Sequence, residues 1–176
     1  MEKLLIVVDV QNDFVTDALR NEEAINKLPN VVATVKKAKA NGDTVWFTRD
    51  THHENYMETQ EGKKLPVPHC LMGSKGWEIV DELQSFTKDA DTIVFDKPTF
   101  GSTSLGVEIA RYPDLKEVTL IGYCTDICVV SNALIIKAFN PELKVRVIES
   151  CCAGVTVESH NAALKTMESC QVEVVY

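Results

Sequence analysis

The sequence predicts an α/β fold, a three-layer α/β/α arrangement in which a six-stranded, mostly parallel open sheet lies between helices. Six short apolar runs rich in β-branched residues recur along the chain. Most of these runs are continuous and do not alternate with polar residues, as is typical of strands that are covered on both faces. Helical patterns separate the runs, and strand alternating with helix indicates parallel strands joined by right-handed crossovers.

The predicted elements follow in order along the chain. The strands are residues 3–9, 44–49, 91–96, 117–122, 144–149 and 171–176. The clearest helix begins after Asn21, ends at Asn41-Gly42 and carries one apolar stripe made of Ile25, Leu28, Val32, Val35 and Ala38. The other predicted helices are residues 76–86, 102–112, 127–139 and 158–169. Residues 50–75 show no clear element, and a connection of that length in a compact domain is often functional.

Composition bounds the class of protein. The 176 residues, 45% of them apolar, can bury a full core, and no linker or repeat divides them, so we expect one domain over residues 1–176. The formal charge of -8 opposes binding to nucleic acid or to an anionic membrane, which leaves small molecules as the expected ligands. Six cysteines without an export signal or a membrane-spanning run predict a cytoplasmic protein with free or ligating thiols.

Ionisable residues stand where the predicted strands end. Asp9, Asp50 and Lys97 follow the first three strands, and the fourth strand leads through Gly122 to Cys128. Ligands of open parallel sheets bind beyond the carboxyl ends of the strands. These side chains are therefore the first candidates for a functional site.

Cys128 is the candidate nucleophile because it would begin the helix 127–139, where the helix dipole favours a thiolate. Lys97 could lower the thiol pKa from its usual value of about 8.5, and Asp9 could accept the thiol proton and return it to a leaving group. Taken singly, each residue is more simply explained as a buried core cysteine or a capping carboxylate. Their joint placement at strand ends favours the functional interpretation.

The long loop holds a second candidate cluster. Asp50 and His52 are two residues apart and would point the same way in an extended segment, and His69 follows later in the loop. Two imidazoles and a carboxylate suit zinc, iron or manganese with open coordination positions. A solvated polar loop would look similar, since Glu58 and Glu61 also lie here, so spacing alone leaves metal binding open.

Six ordered segments resemble those of the isochorismatase-like cysteine hydrolases, and most closely the nicotinamidases. The segments are VVDVQNDF (7–14), TRDTH (48–52), PHCLMGSKGWEI (68–79), DKPTFGST (96–103), GYCTDICV (122–129) and CCAGVTVESHNAAL (151–164). Together they extend over nearly the whole chain. The resemblance implies a Rossmann-like open sheet of six strands and an amidase that releases ammonia from nicotinamide through a thioester.

The resemblance also implies a role for each matching residue. It makes Asp9, Lys97 and Cys128 the catalytic set, and Asp50, His52 and His69 the ligands of an ion that is usually zinc, with Glu61 or Glu58 as a candidate fourth ligand. A cis peptide between Tyr123 and Cys124 would direct the Cys124 N–H, with that of Cys128, at the oxyanion. Phe14 and Tyr123 are expected to contact the substrate. Thr125 and Asp126 are interpreted as structural residues that hold the bend into the helix, and a homo-oligomer is expected.

Departures from the family pattern leave the substrate open. Nicotinamidases often carry a tryptophan three residues before the last metal-binding histidine, where this chain has Pro66, and Phe100-Gly101 replaces their usual Tyr-Ser. Another small amide or a carbamoyl compound is therefore a second hypothesis. A non-catalytic redox or metabolite-binding protein is a third, based on the paired cysteines. A cysteine zinc site is disfavoured because the chain has no C-x-x-C pair.

Overall fold

One parallel sheet forms the centre of the molecule, and the computed structural model describes all of residues 1–176. Its strands are β1 (Lys3–Val8), β2 (Thr44–Asp50), β3 (Val94–Lys97), β4 (Glu117–Tyr123), β5 (Lys144–Ala153) and β6 (Glu173–Val175). They lie in the order β3-β2-β1-β4-β5-β6, and every neighbouring pair is parallel. The six-stranded α/β fold predicted from the sequence is confirmed.

Helices cover both faces of the sheet. They are α1 (Asn12–Val15), α2 (Glu22–Ala40), α3 (Gln60–Lys64), α4 (Asp81–Gln84), α5 (Thr103–Ile109), α6 (Val130–Phe139) and α7 (Val157–Ser169). Alternate residues of β1 enter different cores: Leu4 and Ile6 pack with residues of α5, α6 and α7, whereas Leu5 and Val7 pack with residues of α2 and α4. Continuous apolar strands are needed for this arrangement because both faces are buried.

The first long helix begins and ends where the sequence predicts. The Asn21 side chain accepts hydrogen bonds from the N–H groups of Glu23 (2.9 Å) and Ala24 (3.3 Å), which caps α2. The helix ends at Ala40, and Gly42 then adopts a φ of 79°, a conformation that glycine reaches without steric cost. Local capping chemistry therefore determines both ends of α2.

The predicted helix 76–86 is wrong over most of its length. The N–H of Asn12 donates to the Glu78 carbonyl, and that of Val80 donates to the Val10 carbonyl, so this segment pairs with the chain that leaves β1. Only Asp81–Gln84 is α-helical, followed by a 3-10 turn over Ser85–Lys88. Tertiary pairing has displaced a helical pattern, which the periodicity of the segment cannot reveal.

Other predicted boundaries shift by a few residues. Strand β5 continues to Ala153 and so carries the chain four residues further towards the functional edge than predicted. The loop 50–75 contains a 3-10 turn at Tyr56–Glu58 and the short helix α3. The predicted helix 127–139 is a π-helical turn over Thr125–Val129 that continues into α6.

Gly122 permits a close approach between β4 and the Val8 backbone of β1. Its φ is 119°, and a β-carbon there would lie 2.1 Å from the carbonyl oxygen of Val8. We expect Gly122→Ala to lower the free energy of unfolding by at least about 3 kcal/mol, since it adds backbone strain to a clash with main-chain atoms. Denaturant unfolding would measure this, with Gly42→Ala as a control that also adds strain at a positive φ, here 79°, but meets no atom within 4 Å. Equal losses in both variants would contradict the role of the close approach.

No helix is both as long and as apolar as a helix must be to cross a bilayer. All six cysteines are free, and four of them are buried: Cys70, Cys128, Cys151 and Cys152.

Candidate active site

Three residues that are distant in the sequence meet at the carboxyl edge of the sheet. Asp9 follows β1, Lys97 ends β3 and Cys128 lies in the turn after β4. The Lys97 Nζ lies 2.6 Å from Asp9 Oδ2 and 3.4 Å from Cys128 Sγ. Asp9 and Lys97 are at most 1% exposed and Cys128 is 5% exposed. The structure therefore brings together the acid, the ammonium and the thiol on which the sequence prediction depends.

The backbone at Asp9 turns the carboxylate inwards. Asp9 has a φ of 50°, the left-handed region that aspartate tolerates better than most residues. Its Oδ1 accepts a hydrogen bond of 2.6 Å from the Thr48 hydroxyl on β2. Thr48 was not predicted as part of the site, although its position two residues before the end of β2 was the available signal.

The electrostatics of this group differ from the expectation for the thiol. Burial and the Asp9 carboxylate raise the pKa of Cys128 well above its usual range, and the opposing effect of Lys97 is smaller. Burial would lower the pKa of Lys97, but Asp9 and Cys128 outweigh it and raise that pKa, so the ammonium stays charged. Burial also raises the pKa of Asp9. Cys128 is therefore a neutral thiol beside the close Asp9–Lys97 contact.

The position of Cys128 explains part of this difference. Cys128 lies inside the π-helical turn Thr125–Val129, before α6 begins at Val130, so it does not occupy the first position of the α-helix as predicted. In this buried turn, desolvation is the largest influence on the thiol and raises its pKa. The expected lowering of the thiol pKa by Lys97 and the helix dipole is therefore corrected, whereas the expected role of Asp9 as proton acceptor remains a prediction.

The backbone around Cys124 is arranged as expected. The peptide between Tyr123 and Cys124 is cis, and Cys124 and Cys128 both line the main cavity. The Cys124 carbonyl accepts hydrogen bonds from the N–H groups of Ile127 (3.1 Å) and Val129 (3.0 Å). Burial raises the pKa of the Cys124 thiol to about 12, which makes this side chain a poor nucleophile.

A second cluster borders the first. Ligand atoms of Asp50, His52, Glu61 and His69 all lie within 4.8 Å of one another. Asp50 Oδ2 is 2.9 Å from His52 Nε2 and 3.3 Å from His69 Nε2, and Glu61 Oε1 is 3.6 Å and 3.7 Å from the same nitrogens. Ligands of a tetrahedral zinc ion are separated by about 3.3 Å, given bonds of about 2.0 to 2.1 Å. The nitrogen and oxygen donors thus fit a divalent cation.

Neighbouring groups orient these donors. The Val67 carbonyl lies 2.8 Å from His69 Nδ1, which leaves Nε2 to face the cluster. Burial would raise the pKa of Asp50, but hydrogen bonds with His52 and His69 outweigh it and lower that pKa. The Tyr56 ring packs against both imidazoles, with centroids 4.8 Å from His52 and 5.1 Å from His69.

Two buried polar residues that sequence reasoning missed support the cluster. The Gln11 side chain donates to the Asp50 carbonyl (2.9 Å) and accepts from the Asp50 N–H (2.8 Å). Asp13 accepts from the N–H of Cys70, next to His69, at 2.7 Å. Both residues belong to the segment VVDVQNDF, where polar residues directly after a buried strand were the signal that could have found them.

A cavity of about 700 Å³ opens onto both clusters. It is lined by Phe14, Ala18, Leu19, Arg20, Asn21, Glu22, Asp50, Glu61, Leu65, His69, Phe100, Cys124, Ile127, Cys128 and Val155. Phe14 lies on the cavity wall as expected and packs edge-on against His69. Tyr123 does not line it, because its ring is buried and its hydroxyl donates to the Ala24 carbonyl at 2.7 Å. The expected substrate contact of Tyr123 is therefore corrected to a role in the core.

The fold and this sheet edge define a three-layer α/β protein with a cysteine-containing candidate active site. The chain belongs to the isochorismatase family, since the family profile described as Isochorismatase domain matches residues 3–176. The nicotinamidase/pyrazinamidase of Mycobacterium tuberculosis is 27% identical over 187 residues, which cover 98% of each chain. Because this family profile and this relative both match nearly the whole chain, the chain is an amidohydrolase that acts on carbon–nitrogen bonds.

Solved structures agree with this assignment. The crystal structure of nicotinamidase/pyrazinamidase PncA from Bacillus subtilis is 27% identical, has a TM-score of 0.87 and covers 100% of both chains. The pyrazinamidase of Pyrococcus horikoshii, solved in complex with zinc, is 28% identical, has a TM-score of 0.81 and covers 99% of both chains.

Proposed function

We propose that this protein is a metal-containing cysteine amidohydrolase that converts nicotinamide to nicotinate and ammonia through a thioester on Cys128. The observation that carries the proposal is the buried contact of the Lys97 ammonium with both Asp9 (2.6 Å) and Cys128 (3.4 Å) at the floor of a mostly apolar cavity. Relatives named as nicotinamidases support the choice of substrate. A redox sensor would have no use for this ion pair.

The reaction needs a proton acceptor because the resting thiol is neutral. Asp9 takes the thiol proton as the Cys128 sulfur attacks the amide carbon, and the N–H groups of Cys124 and Cys128 stabilise the oxyanion. Asp9 then returns the proton to the departing ammonia. Water hydrolyses the thioester with Asp9 again as the base, which releases the acid and restores the thiol. Lys97 keeps Asp9 ionised between these steps.

The metal cluster provides the orienting end of the cavity. Asp50, His52, His69 and Glu61 would hold the ion, most simply zinc, with iron or manganese as alternatives. When bound, such an ion offers a Lewis-acid position for a donor atom such as a pyridine nitrogen. These residues also fix the wall that faces Cys128, while Phe14 packs on His69 and limits the width available to a ring.

The charges of the cavity favour a neutral amide. Arg20 is the only lysine or arginine among the lining residues, and it is already paired with Glu22 at 2.9 Å. A carboxylate-bearing carbamoyl compound would therefore find no unpaired lysine or arginine side chain in the cavity and would meet Glu22 beside Arg20. An uncharged aromatic amide has no such cost.

The size of the cavity supports a second candidate substrate, a bulkier neutral amide. Cavities of about 300 to 1,000 Å³ hold drug-sized ligands, and this cavity of about 700 Å³ exceeds the need of one ring. The exposed apolar side chains of Leu65, Phe100 and Val155 lie at the mouth of the cavity. Pro66 does not line the cavity. Ring-extended amides are the compounds that would use this surface.

Ammonia release from metal-replete protein tests both candidates. Nicotinamide, pyrazinamide, larger neutral aromatic amides and carbamoyl amino acids would be compared by kcat/KM. The proposal expects nicotinamide to be hydrolysed best and carbamoyl acids least. Preference for the larger amides would replace nicotinamide as the substrate, and no turnover of any amide would end the proposal. We also propose that the enzyme works in the cytoplasm and forms a homo-oligomer. Light scattering would measure its oligomeric state.

We expect Glu61→Ala to weaken zinc binding by about 10- to 100-fold, because it removes a donor that lies 3.6 to 3.7 Å from the two imidazole nitrogens. Glu58→Ala is the matched control: it is the other glutamate suggested by the sequence, but it lies outside the cluster. Competition against a zinc chelator measures both affinities. Equal affinity in the two variants would remove Glu61 from the ligand set.

Activity is expected to fall as the pH decreases. The midpoint of this fall should lie above the ordinary carboxyl pKa of about 4. Asp9 must be ionised to accept the thiol proton, and burial raises its pKa, so protonation stops the reaction at a higher pH than for an exposed aspartate. A kcat/KM profile measured with zinc content at each pH separates this effect from metal loss. An acid limb at or below pH 4 with full zinc content would contradict it.

A further inference from the structure

The turn that carries Cys128 is held from its outer side by a buried histidine that the proposed reaction does not use. Thr125, the first residue of the turn, is fully buried, and its Oγ1 lies 2.8 Å from His160 Nδ1 on α7. His160 is only 7% exposed. It belongs neither to the group around Cys128 nor to the metal cluster.

The His160 ring has a carboxylate near its other nitrogen. Its Nε2 faces Glu149 Oε1 at 3.4 Å, and the same carboxylate oxygen accepts a hydrogen bond of 2.9 Å from Lys27. Nε2 has no hydrogen-bond partner, but a hydrogen on it would face this carboxylate, and Nδ1 would then be the acceptor. In this tautomer the Thr125 hydroxyl donates to His160 Nδ1.

Other contacts hold the same turn. The Val155 N–H donates to Asp126 Oδ1 at 3.1 Å, so the loop before α7 also binds the turn. The Asn132 side chain donates to the Cys128 carbonyl at 2.8 Å from the opposite side. The turn thus lies between α6 and α7, and Thr125–His160 is its buried hydrogen bond on the α7 side.

We propose that His160 is a positioning residue that holds the turn through its hydrogen bond with Thr125. The turn is then held so that the N–H groups of Cys124 and Cys128 and the Cys128 sulfur point at the same carbonyl group. The proposal rests on the proposed function, since that carbonyl belongs to the amide. His160 does not line the cavity, so losing its hydrogen bond should reduce kcat and leave KM nearly unchanged.

Paired variants test this arrangement. Thr125→Val and His160→Leu remove the hydrogen bond, whereas Thr125→Ser keeps the hydroxyl and His160→Asn keeps a polar atom near the place of Nδ1. We expect kcat to fall by about 10- to 100-fold in the first pair, as for displacements of about 1 Å at a reacting centre, and KM to change by less than about threefold. The second pair should retain most of the wild-type kcat. Thr125→Val combined with His160→Leu should be no slower than the slower single variant.

Hydrogen exchange of residues 124–129 supplies a readout that needs no substrate. These amides should exchange faster in Thr125→Val and His160→Leu than in wild type, Thr125→Ser or the exposed α7 variant Lys165→Gln, all measured well below the unfolding temperature. Absence of amide turnover in the wild type would defeat the proposed function, while this comparison would still decide the role of His160. Unchanged kcat and exchange in Thr125→Val and His160→Leu, or equal kcat losses in the Ser and Asn variants, would overturn the inference.

Discussion

Cys128→Ala is expected to lower kcat for amide hydrolysis by roughly 10⁴- to 10⁶-fold, the range found when a covalent nucleophile is removed from a hydrolase. No other thiol can replace it at this place. Cys124 also lines the cavity, but burial raises its pKa to about 12, and its contribution is expected to be the backbone N–H. The fold should persist because the substitution removes one sulfur atom from a large core.

The exposed Cys170 provides the control for this prediction, since Cys170→Ala makes the same chemical change far from the cavity. Ammonia release and thermal unfolding of both variants would be measured side by side. Cys170→Ala should match the wild type in both. Substantial turnover by a folded Cys128→Ala protein would show that the reaction does not pass through this sulfur.

Lys97→Met is the second large effect, and it should reduce both stability and activity. The ammonium is 1% exposed, and removing it leaves the buried Asp9 carboxylate without its cation, which costs about 3 to 5 kcal/mol. The thiolate formed during turnover also loses its nearest positive charge, 3.4 Å away. We expect kcat to fall by at least about 100-fold and alkylation of Cys128 by iodoacetamide to slow at a fixed pH.

Two further variants separate these causes. Lys116→Met breaks an ion pair of the same 2.6 Å length at the surface, where solvent screens it, and should change neither quantity measurably. Asp9→Asn combined with Lys97→Met removes both buried charges, so it should regain stability relative to Lys97→Met without regaining activity. Alkylation of Cys128 at the wild-type rate in Lys97→Met would show that the ammonium does not act on the sulfur.

The fold and the meeting of Asp9, Lys97 and Cys128 could be predicted from the sequence because both follow from strand patterns. Continuous apolar runs identify buried parallel strands, and the carboxyl ends of such strands share one edge. The side chains at the ends of β1, β3 and β4 must then lie at the same edge. The strand order, in which β2 separates β3 from β1, is not contained in that pattern.

Other features depend on partners that no local pattern contains. The segment around Glu78 has a helical period, but the chain after β1 takes its hydrogen bonds. Tyr123 ends a strand at the edge where substrate contacts are expected, yet its ring packs in the core with residues of α2, and its hydroxyl donates to the Ala24 carbonyl. The pKa of Cys128 depends on the balance between burial and two opposite charges, which only three-dimensional distances determine.

The two halves of the site differ in how they are encoded. Asp50, His52, Glu61 and His69 come from one stretch of twenty residues, whereas Asp9, Lys97 and Cys128 come from three separate parts of the chain. Exchanging this one segment could therefore change the metal-binding end of the cavity, while Asp9, Lys97 and Cys128 would stay unchanged at the sheet edge. The metal cluster is thus modular in this chain, and a graft of residues 50–69 between relatives would exchange it while Phe14, Phe100 and Val155 of the cavity stay in place.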